Sequence, residues 1–227
     1  MGAQVVFGAL RIHPAPAEGR ASVARLPAVQ DVAIPRIQGH IVDVGQVETD
    51  DPVISPEGVI SELIAAFSRK RIFGYKFVAF ASLAIAVLGF LVWGHHMFVS
   101  GQSVYASMVF SALSFTVAVP SAIKVFNWMG TMWRGNLQFH VPMLHAVAFV
   151  ALFTIGGLSG VFMAATPVDI YIHDTYFIVA HLHYVLFGGS LFAIFAAIVF
   201  WYPKMFGRLM NSTLGKVHFW LTFVFYN

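Results

Sequence analysis

Long apolar stretches separated by short polar turns dominate the chain from Leu63 onward. A stretch of about 20 apolar residues is long enough to cross the hydrocarbon layer of a bilayer as one helix. The whole sequence is 59% hydrophobic and 10% charged, whereas about a quarter of the residues in soluble domains are charged. We therefore predict an all-α integral membrane protein, a transmembrane helical bundle. Its five predicted spans are Phe77–Val99, Tyr105–Trp128, Met143–Ala165, Tyr176–Tyr202 and, shortened by the end of the chain, Val217–Asn227.

Lysine and arginine residues occur in alternate loops between these spans. Four of them lie at 69–76 before the first span, one is Arg134 after the second, and three lie at 204–216 before the fifth. The loops near Ser100 and at 169–174 contain neither. Because cytoplasmic loops are enriched in Lys and Arg, the basic loops are predicted to face the cytoplasm or matrix. The net charge of +3 is small and spread along the chain, so nucleic acid is not an expected partner.

The first 55 residues have a different composition and contain five of the ten prolines. Proline interrupts a helix because it lacks a backbone donor and clashes with the preceding turn. We predict a poorly ordered N-terminal segment over residues 1–55 and a membrane domain over residues 56–227. Val53–Phe67 is predicted to form the end of a further helix, with Ser55 or Ser61 as its cap.

Two adjacent histidines, His95 and His96, end the first predicted span. The chain has no cysteine, so any metal must be held by histidine, carboxylate or backbone atoms. Neighbouring side chains on a regular helix point about 100° apart, so both rings reach one metal only where the helix loosens, next to Gly94. Imidazoles suit copper, zinc or iron. The alternative is a pair of interfacial histidines beside an aromatic belt.

A second histidine pair lies inside the fourth span, at His181 and His183. Residues two apart point about 200° apart on a helix, so these rings address opposite faces and cannot share one ion. Two axial haem positions, one on each side, would explain the pair, since haem iron takes histidine ligands. Hydrogen bonds to neighbouring helices are the alternative reading.

Polar residues precede this span in the outer loop, where His173 and Asp174 follow Asp169. A carboxylate and an imidazole at such an edge could hold a hard cation such as magnesium together with waters. An ordinary polar loop is the alternative. The remaining histidines at His140, His145 and His218 lie near span ends and are predicted to be interfacial.

One cation, Lys124, lies within the second predicted span. A charged side chain is costly at that depth, so it indicates a proton or ion path more often than a structural role. Snorkelling of the ammonium group to the interface is the alternative.

Five stretches that follow one another along the chain resemble, taken together, subunit I of haem–copper terminal oxidases of the cytochrome c oxidase type. They are Val92–Gly101, Pro120–Trp128, Leu152–Gly160, Asp169–Leu186 and Trp201–Phe223. The resemblance covers about Gly58 to Asn227 and implies an all-helical bundle. The family has twelve spans, and about five of them are present here. Leu182 stands where the family usually has phenylalanine, a tolerable apolar exchange.

The resemblance implies ligand roles for both histidine pairs. His95 and His96 resemble two of the three ligands of the copper at the oxygen-reducing centre. His181 resembles the axial ligand of the high-spin haem, and His183 resembles one of the two axial ligands of the low-spin haem. The implied cofactors are therefore two haems, expected to be of the A type, and copper.

The resemblance also implies a magnesium site and proton paths. His173 and Asp174 resemble the magnesium ligands, and Asp169 lies in the haem-propionate region where pumped protons gather. Lys124 resembles the lysine of one proton-input path. Along that path lie two serines, Ser121, where the family usually has threonine, and Ser61, which falls near the entrance.

The implied reaction is the reduction of oxygen to water by cytochrome c, coupled to proton pumping. The expected partners are oxidase subunits II and III, cytochrome c and the lipid bilayer. The expected location is the bacterial plasma membrane, the cell inner membrane, rather than the mitochondrial inner membrane. Residues 1–55 match nothing in the family.

Several parts of the family pattern are not found in this sequence. No stretch resembles His-Pro-Glu-Val-Tyr, so we expect that the second low-spin haem histidine, the third copper histidine, the cross-linked tyrosine and the acid of the second proton path lie elsewhere. The final helix and the propionate-binding arginines are also missing. Three alternatives follow: an inactive membrane fragment, a quinol oxidase subunit, or a transporter that uses Lys124 and the histidines as a relay. The opposed directions of His181 and His183 argue against the transporter.

Overall fold

The computed structural model describes residues 56–227, and within this range the chain is helical, without strands. The predicted N-terminal segment 1–55 and the first residues of the predicted helix Val53–Phe67 lie outside the described residues. The α-helices are α1 (Pro56–Ser68), α2 (Tyr75–Leu91), α3 (Val104–Met132), α4 (Val141–Ala164), α5 (Thr166–Ile172), α6 (Tyr176–Leu182), α7 (Phe192–Phe206) and α8 (Ser212–Tyr226). A 3₁₀ helix, Trp93–Met97, follows α2, and a π-helical segment, His183–Leu191, joins α6 to α7.

Four continuous helical stretches in the described range are long and apolar enough to cross a membrane. They are Tyr75–Met97, Val104–Met132, Val141–Ala164 and Tyr176–Phe206, with mean hydropathies between 1.7 and 2.3. These match the first four predicted spans to within a few residues. The fifth predicted span, Val217–Asn227, overlaps α8, which covers Ser212–Tyr226.

The core of the described bundle lies between α1, α3, α4, α7 and α8. Large side chains that are almost completely buried meet there: Ile60, Leu63, Trp128, Phe149, Leu152 and Phe192. The Trp128 ring meets the Phe149 ring edge-on, with 5.5 Å between ring centroids and 78° between ring planes. Edge-to-face contacts of this kind stabilise aromatic cores beyond the area that they bury.

The α8 helix changes the surroundings of one histidine. His145 is fully buried, and its ring meets that of Phe219 on α8 with 4.9 Å between centroids. Its Nδ1 lies 2.9 Å from the Val141 carbonyl oxygen, one turn earlier in α4. The prediction that His145 is interfacial is therefore wrong, because α8 packs over the end of α4 and covers the ring.

Turn residues end and begin the helices where the sequence indicates. Ser103 caps α3 by accepting a hydrogen bond from the Ala106 amide, and Asn211 caps α8 by accepting from two amides of its first turn. Gly74, before α2, has a φ of 63°, a left-handed conformation that glycine adopts without strain. A Cβ there would lie 2.2 Å from the Asn127 side chain, so glycine also permits α2 to approach α3.

Candidate functional site

The first histidine pair lies on the 3₁₀ helix, because α2 ends at Leu91 before reaching it. The two Nε2 atoms of His95 and His96 are 3.0 Å apart, and the ring centroids are 4.3 Å apart. Gly94 is buried beneath them, and a Cβ there would lie 2.3 Å from the Phe110 ring. The tight turn therefore packs against α3 only because residue 94 is glycine.

The spacing of these nitrogens fits a shared metal ion. Two imidazoles that bind one ion at 2.0–2.1 Å and at right angles place their nitrogens about 2.9 Å apart. His95 Nδ1 lies 2.8 Å from Ser114 Oγ, and that hydroxyl donates to the Phe110 carbonyl oxygen at 2.6 Å. The serine oxygen therefore accepts from His95 Nδ1–H, so Nε2 is the His95 nitrogen with the lone pair, which faces His96 Nε2 at 3.0 Å and would be the atom to bind a metal.

Ser114 was not among the residues predicted for the site. It lies 19 positions after His95, a separation that carries no helical periodicity, and it reaches the ring because α3 packs antiparallel beside α2. A polar side chain in the middle of an apolar span was the available signal in the sequence.

The second pair places its two rings in different surroundings. His181 Nδ1 lies 2.8 Å from the Gly156 carbonyl oxygen and 3.0 Å from Ser159 Oγ, both on α4. His183 is exposed, and its Nδ1 lies 2.7 Å from the Val179 carbonyl oxygen of its own helix. A carbonyl oxygen can only accept, so both rings carry hydrogen on Nδ1, and in a neutral imidazole of this kind the lone pair is on Nε2. This is the tautomer that an axial haem ligand needs.

Small residues on α4 make room for the His181 ring. A Cβ at Gly160 would lie 2.8 Å from His181 Cε1, and a Cβ at Gly156 would lie 2.9 Å from Val185 Cγ2. The two glycines are four residues apart on one face of α4, a spacing that allows close helix approach in membranes. The cradle around the ring therefore depends on the absence of a side chain at position 160, and Gly156 gives the same room to Val185.

The outer-loop residues form a smaller group. His173 Nδ1 lies 3.0 Å from Asp169 Oδ2, and His173 Nε2 lies 3.8 Å from Asp174 Oδ1. Asp169 is buried, whereas the Asp174 side chain is 92% exposed and its backbone is left-handed, with a φ of 56°. Within residues 56–227, no group of three or more His, Cys, Asp or Glu side chains is arranged to hold a metal. His173 and Asp174 therefore fit a hard cation only if waters or other atoms complete its shell.

These groups share one region of the protein. His95 lies close enough to His96, Asp169 and His181 for their charges to interact, and His181 interacts in the same way with His96. The structure thus brings together the first histidine pair, one member of the second pair and a carboxylate of the outer loop. His183 is exposed and hydrogen-bonds to its own helix instead.

Lys124 is separate from the histidines and is almost completely buried, with its side chain 1% exposed. Its Nζ forms an ion pair with Glu57 in the first turn of α1 and lies 6.0 Å from the centroid of the Trp128 ring. Ser61 accepts a hydrogen bond from Trp128 Nε1 at 2.9 Å. Ser121 lies three residues before Lys124 in α3 and is partly buried. Glu57 was not among the predicted residues, and its signal was a carboxylate in the first turn of a largely apolar helix.

The fold and these residues define a class of protein. It is a helical membrane protein in which histidines within or at the ends of apolar helices hydrogen-bond through Nδ1 to hydroxyl or carbonyl oxygens, with a buried lysine elsewhere in the bundle. The family model described as "Cytochrome C and Quinol oxidase polypeptide I" matches residues 55–227. The chain belongs to this family.

Curated relatives agree with this assignment. Cytochrome c oxidase subunit 1 of Alkalihalophilus pseudofirmus is 51% identical over 172 residues, which are 76% of this chain and 28% of that protein. The subunit of the same name from Synechocystis is 53% identical over 167 residues, 74% of this chain and 30% of that protein. A probable cytochrome c oxidase subunit 1-beta from Nocardia farcinica is 52% identical over 167 residues, 74% of this chain and 28% of that protein. The chain therefore spans less than a third of the length of the curated relatives that it matches.

Proposed function

We propose that this chain provides part of subunit I of a respiratory terminal oxidase, which reduces oxygen to water with electrons from cytochrome c and pumps protons. The observation that carries this proposal is the convergence of the His95 and His96 Nε2 atoms, 3.0 Å apart, within electrostatic reach of His181. Family membership supports it, since the matching relatives are named cytochrome c oxidase subunit 1.

In this proposal the histidines hold the cofactors. His95 and His96 are two copper ligands, His181 is the axial ligand of the high-spin haem, and His183 is an axial ligand of the low-spin haem. When bound, the haems and copper supply the electron transfer and the oxygen chemistry. The protein fixes each ring through its Nδ1–H, which is donated to a serine hydroxyl for His95 and to a backbone carbonyl for His181 and His183. Such partners orient a ligand and raise its basicity.

The outer loop and the buried lysine serve cations and protons in the same proposal. Asp174 and His173 hold magnesium together with waters, and Asp169 holds His173 by accepting its Nδ1–H. Lys124 carries a proton at Nζ on a path that includes Ser121 and Ser61. It lies eight residues from the end of α3 at Met132, about 12 Å along the helix, which is the end next to the basic loop at Arg134. Protons therefore enter from the side predicted to be cytoplasmic.

The proposal includes the assembly in which these residues work. The partners are oxidase subunits II and III, cytochrome c and the lipid bilayer, and the haems are of the A type. The location is the bacterial plasma membrane. A quinol oxidase is the second candidate, because the matching family model covers both cytochrome c and quinol oxidases.

Spectroscopy of the assembled oxidase tests the haem assignment. Replacing His181 by Ala removes the proposed high-spin haem ligand and should abolish the carbon-monoxide-sensitive haem band while the low-spin band remains. An unchanged carbon monoxide difference spectrum would refute the assignment, and a preparation without any haem band would favour the inactive fragment. Rates with reduced cytochrome c and with a quinol then separate the two electron donors.

A further inference from the structure

We infer that Ser159 is a positioning residue for the proposed haem ligand His181, and that its hydroxyl group both orients the ring and strengthens it as a ligand. This inference rests on the proposed role of His181 as the axial ligand of the high-spin haem. Three atoms form a triangle beside the ring. His181 Nδ1 lies 2.8 Å from the Gly156 carbonyl oxygen and 3.0 Å from Ser159 Oγ, and Ser159 Oγ lies 2.7 Å from the same carbonyl oxygen.

The positions of the two hydrogens in this triangle follow from what each atom can donate or accept. A carbonyl oxygen only accepts, so the hydrogen between His181 Nδ1 and the Gly156 oxygen belongs to the ring. A protonated Nδ1 has no lone pair to offer, so the Ser159 hydroxyl cannot donate to it. The hydroxyl hydrogen goes instead to the Gly156 oxygen, and the hydroxyl oxygen accepts a share of the ring hydrogen. The Nδ1–H group of His181 therefore has two acceptors.

A second acceptor affects the ring in two ways. The two acceptor atoms belong to residues three apart on α4, so together they restrict rotation of the His181 ring more than one carbonyl alone would. The hydroxyl also donates while it accepts, and hydrogen bonds linked in this way polarise one another. Stronger acceptance of Nδ1–H raises the basicity of the other ring nitrogen, Nε2, as it does in other histidine ligands. Ser159 is therefore expected to set both the direction and the strength of the ligand.

The same kind of contact is present at His95. Ser114 Oγ lies 2.8 Å from His95 Nδ1 and donates to the Phe110 carbonyl oxygen one turn earlier in α3. The two histidines on opposite sides of the proposed oxygen-reducing centre thus both contact a serine hydroxyl that donates its hydrogen to its own helix. His183, which is assigned to the other haem, has the Val179 carbonyl oxygen at 2.7 Å from its Nδ1 instead. A serine partner therefore accompanies the proposed ligands of one centre on both of its sides.

Resonance Raman spectra of the reduced, assembled oxidase test this role, because the iron–histidine stretching band reports the bond to the axial ligand. Ser159→Ala removes one acceptor of the ring hydrogen, so this band should shift to lower frequency. Ferric ligation should weaken about tenfold relative to ferrous ligation, the lower end of the range for such partners. The reduction potential of the high-spin haem should therefore rise by about 59 mV, the value of a tenfold change in a one-electron couple.

Two variants serve as controls for the hydroxyl group. Ser159→Thr keeps the hydroxyl and should give the wild-type band and potential. Thr154→Val removes a different hydroxyl of α4, one that donates to the Val150 carbonyl oxygen at 2.6 Å, and should also leave both values unchanged. The low-spin haem band is an internal reference in every variant, because His183 is held by its own helix.

The outcomes separate this inference from the proposed function. If His181→Ala leaves the iron–histidine band in place, the ligand assignment itself fails. If His181→Ala removes the band but Ser159→Ala keeps the wild-type frequency and potential, only the role of Ser159 is overturned. Equal shifts in Ser159→Ala and Ser159→Thr also overturn it, because the hydroxyl is then not the cause. If Ser159→Ala retains no high-spin haem, Ser159→Cys decides: sulfur is a weaker acceptor, so the band should again move to lower frequency, and a wild-type band contradicts the inference.

Discussion

Adding a methyl group at Gly160 tests whether the His181 ring needs its close approach to α4. A Cβ at position 160 would lie 2.8 Å from His181 Cε1, whereas ordinary van der Waals contact begins at 3.4 Å. The ring or the helices must therefore separate by about 0.6 Å, which exceeds the tolerance of about 0.5 Å that ligand constellations allow. Overpacking of this kind costs about 1–3 kcal/mol, equivalent to a 5- to 150-fold weaker ligation.

The assay compares two haem signals in one assembled oxidase. In Gly160→Ala the carbon monoxide difference band should fall relative to the low-spin haem band. The low-spin band should persist because His183 is held by the Val179 carbonyl of its own helix. Gly157→Ala is the matched control, since a Cβ at position 157 meets no heavy atom within 4 Å. Equal carbon monoxide bands in the two variants would show that the cradle at Gly160 does not position the ligand.

Two further predictions concern other parts of the described range. Ser114→Ala removes the acceptor of His95 Nδ1–H and should lower copper affinity about 10- to 100-fold. The copper-to-haem ratio in the presence of a chelator measures this change. Ser111→Ala is the control, because it loses only a hydrogen bond to the Ala164 carbonyl and should keep its copper. Burial raises the pKa of Glu62, which lies in α1 outside the four spans. The stability of the folded protein should therefore fall as pH rises from the ordinary pKa of a glutamate to the raised pKa of Glu62. Thermal denaturation followed by haem absorbance measures this loss, and Glu62→Gln should remove it. A pH dependence that is identical in wild type and Glu62→Gln would contradict this assignment.

The membrane spans could be predicted from sequence because crossing a bilayer requires about 20 predominantly apolar residues in a row. Four stretches exceed the required length and hydropathy, and short polar turns separate them as expected. The packing of α8 against α4 is less predictable, because it depends on which faces of two separate helices meet. The same packing buries His145, which is polar and near a span end and so looked interfacial.

Partners of the predicted site residues could not be read from the sequence in the same way. Glu57 and Lys124 are 67 residues apart, and their contact depends on how α1 lies across α3. Periodicity within one helix contains no information about that crossing. The histidine pairs could be proposed from the sequence alone, because two polar rings at fixed spacing inside an apolar span are costly unless they have a function, and their ligand roles stay predictions.

The irregular helical segments and the histidine pairs coincide, and helix geometry explains why. On a regular helix, adjacent rings diverge by about 100° and cannot present both Nε2 atoms to one point. The chain leaves the α-helix after Leu91, and the 3₁₀ turn then brings the His95 and His96 nitrogens to 3.0 Å. At the second pair α6 stays regular through His181 and Leu182, and the π-helical segment begins at His183 itself. His181 hydrogen-bonds to α4, whereas His183 is exposed and hydrogen-bonds to its own helix. Short π-helical insertions are frequent at functional sites, and here the change of helix type falls between the two histidines, in agreement with the different surroundings of their rings.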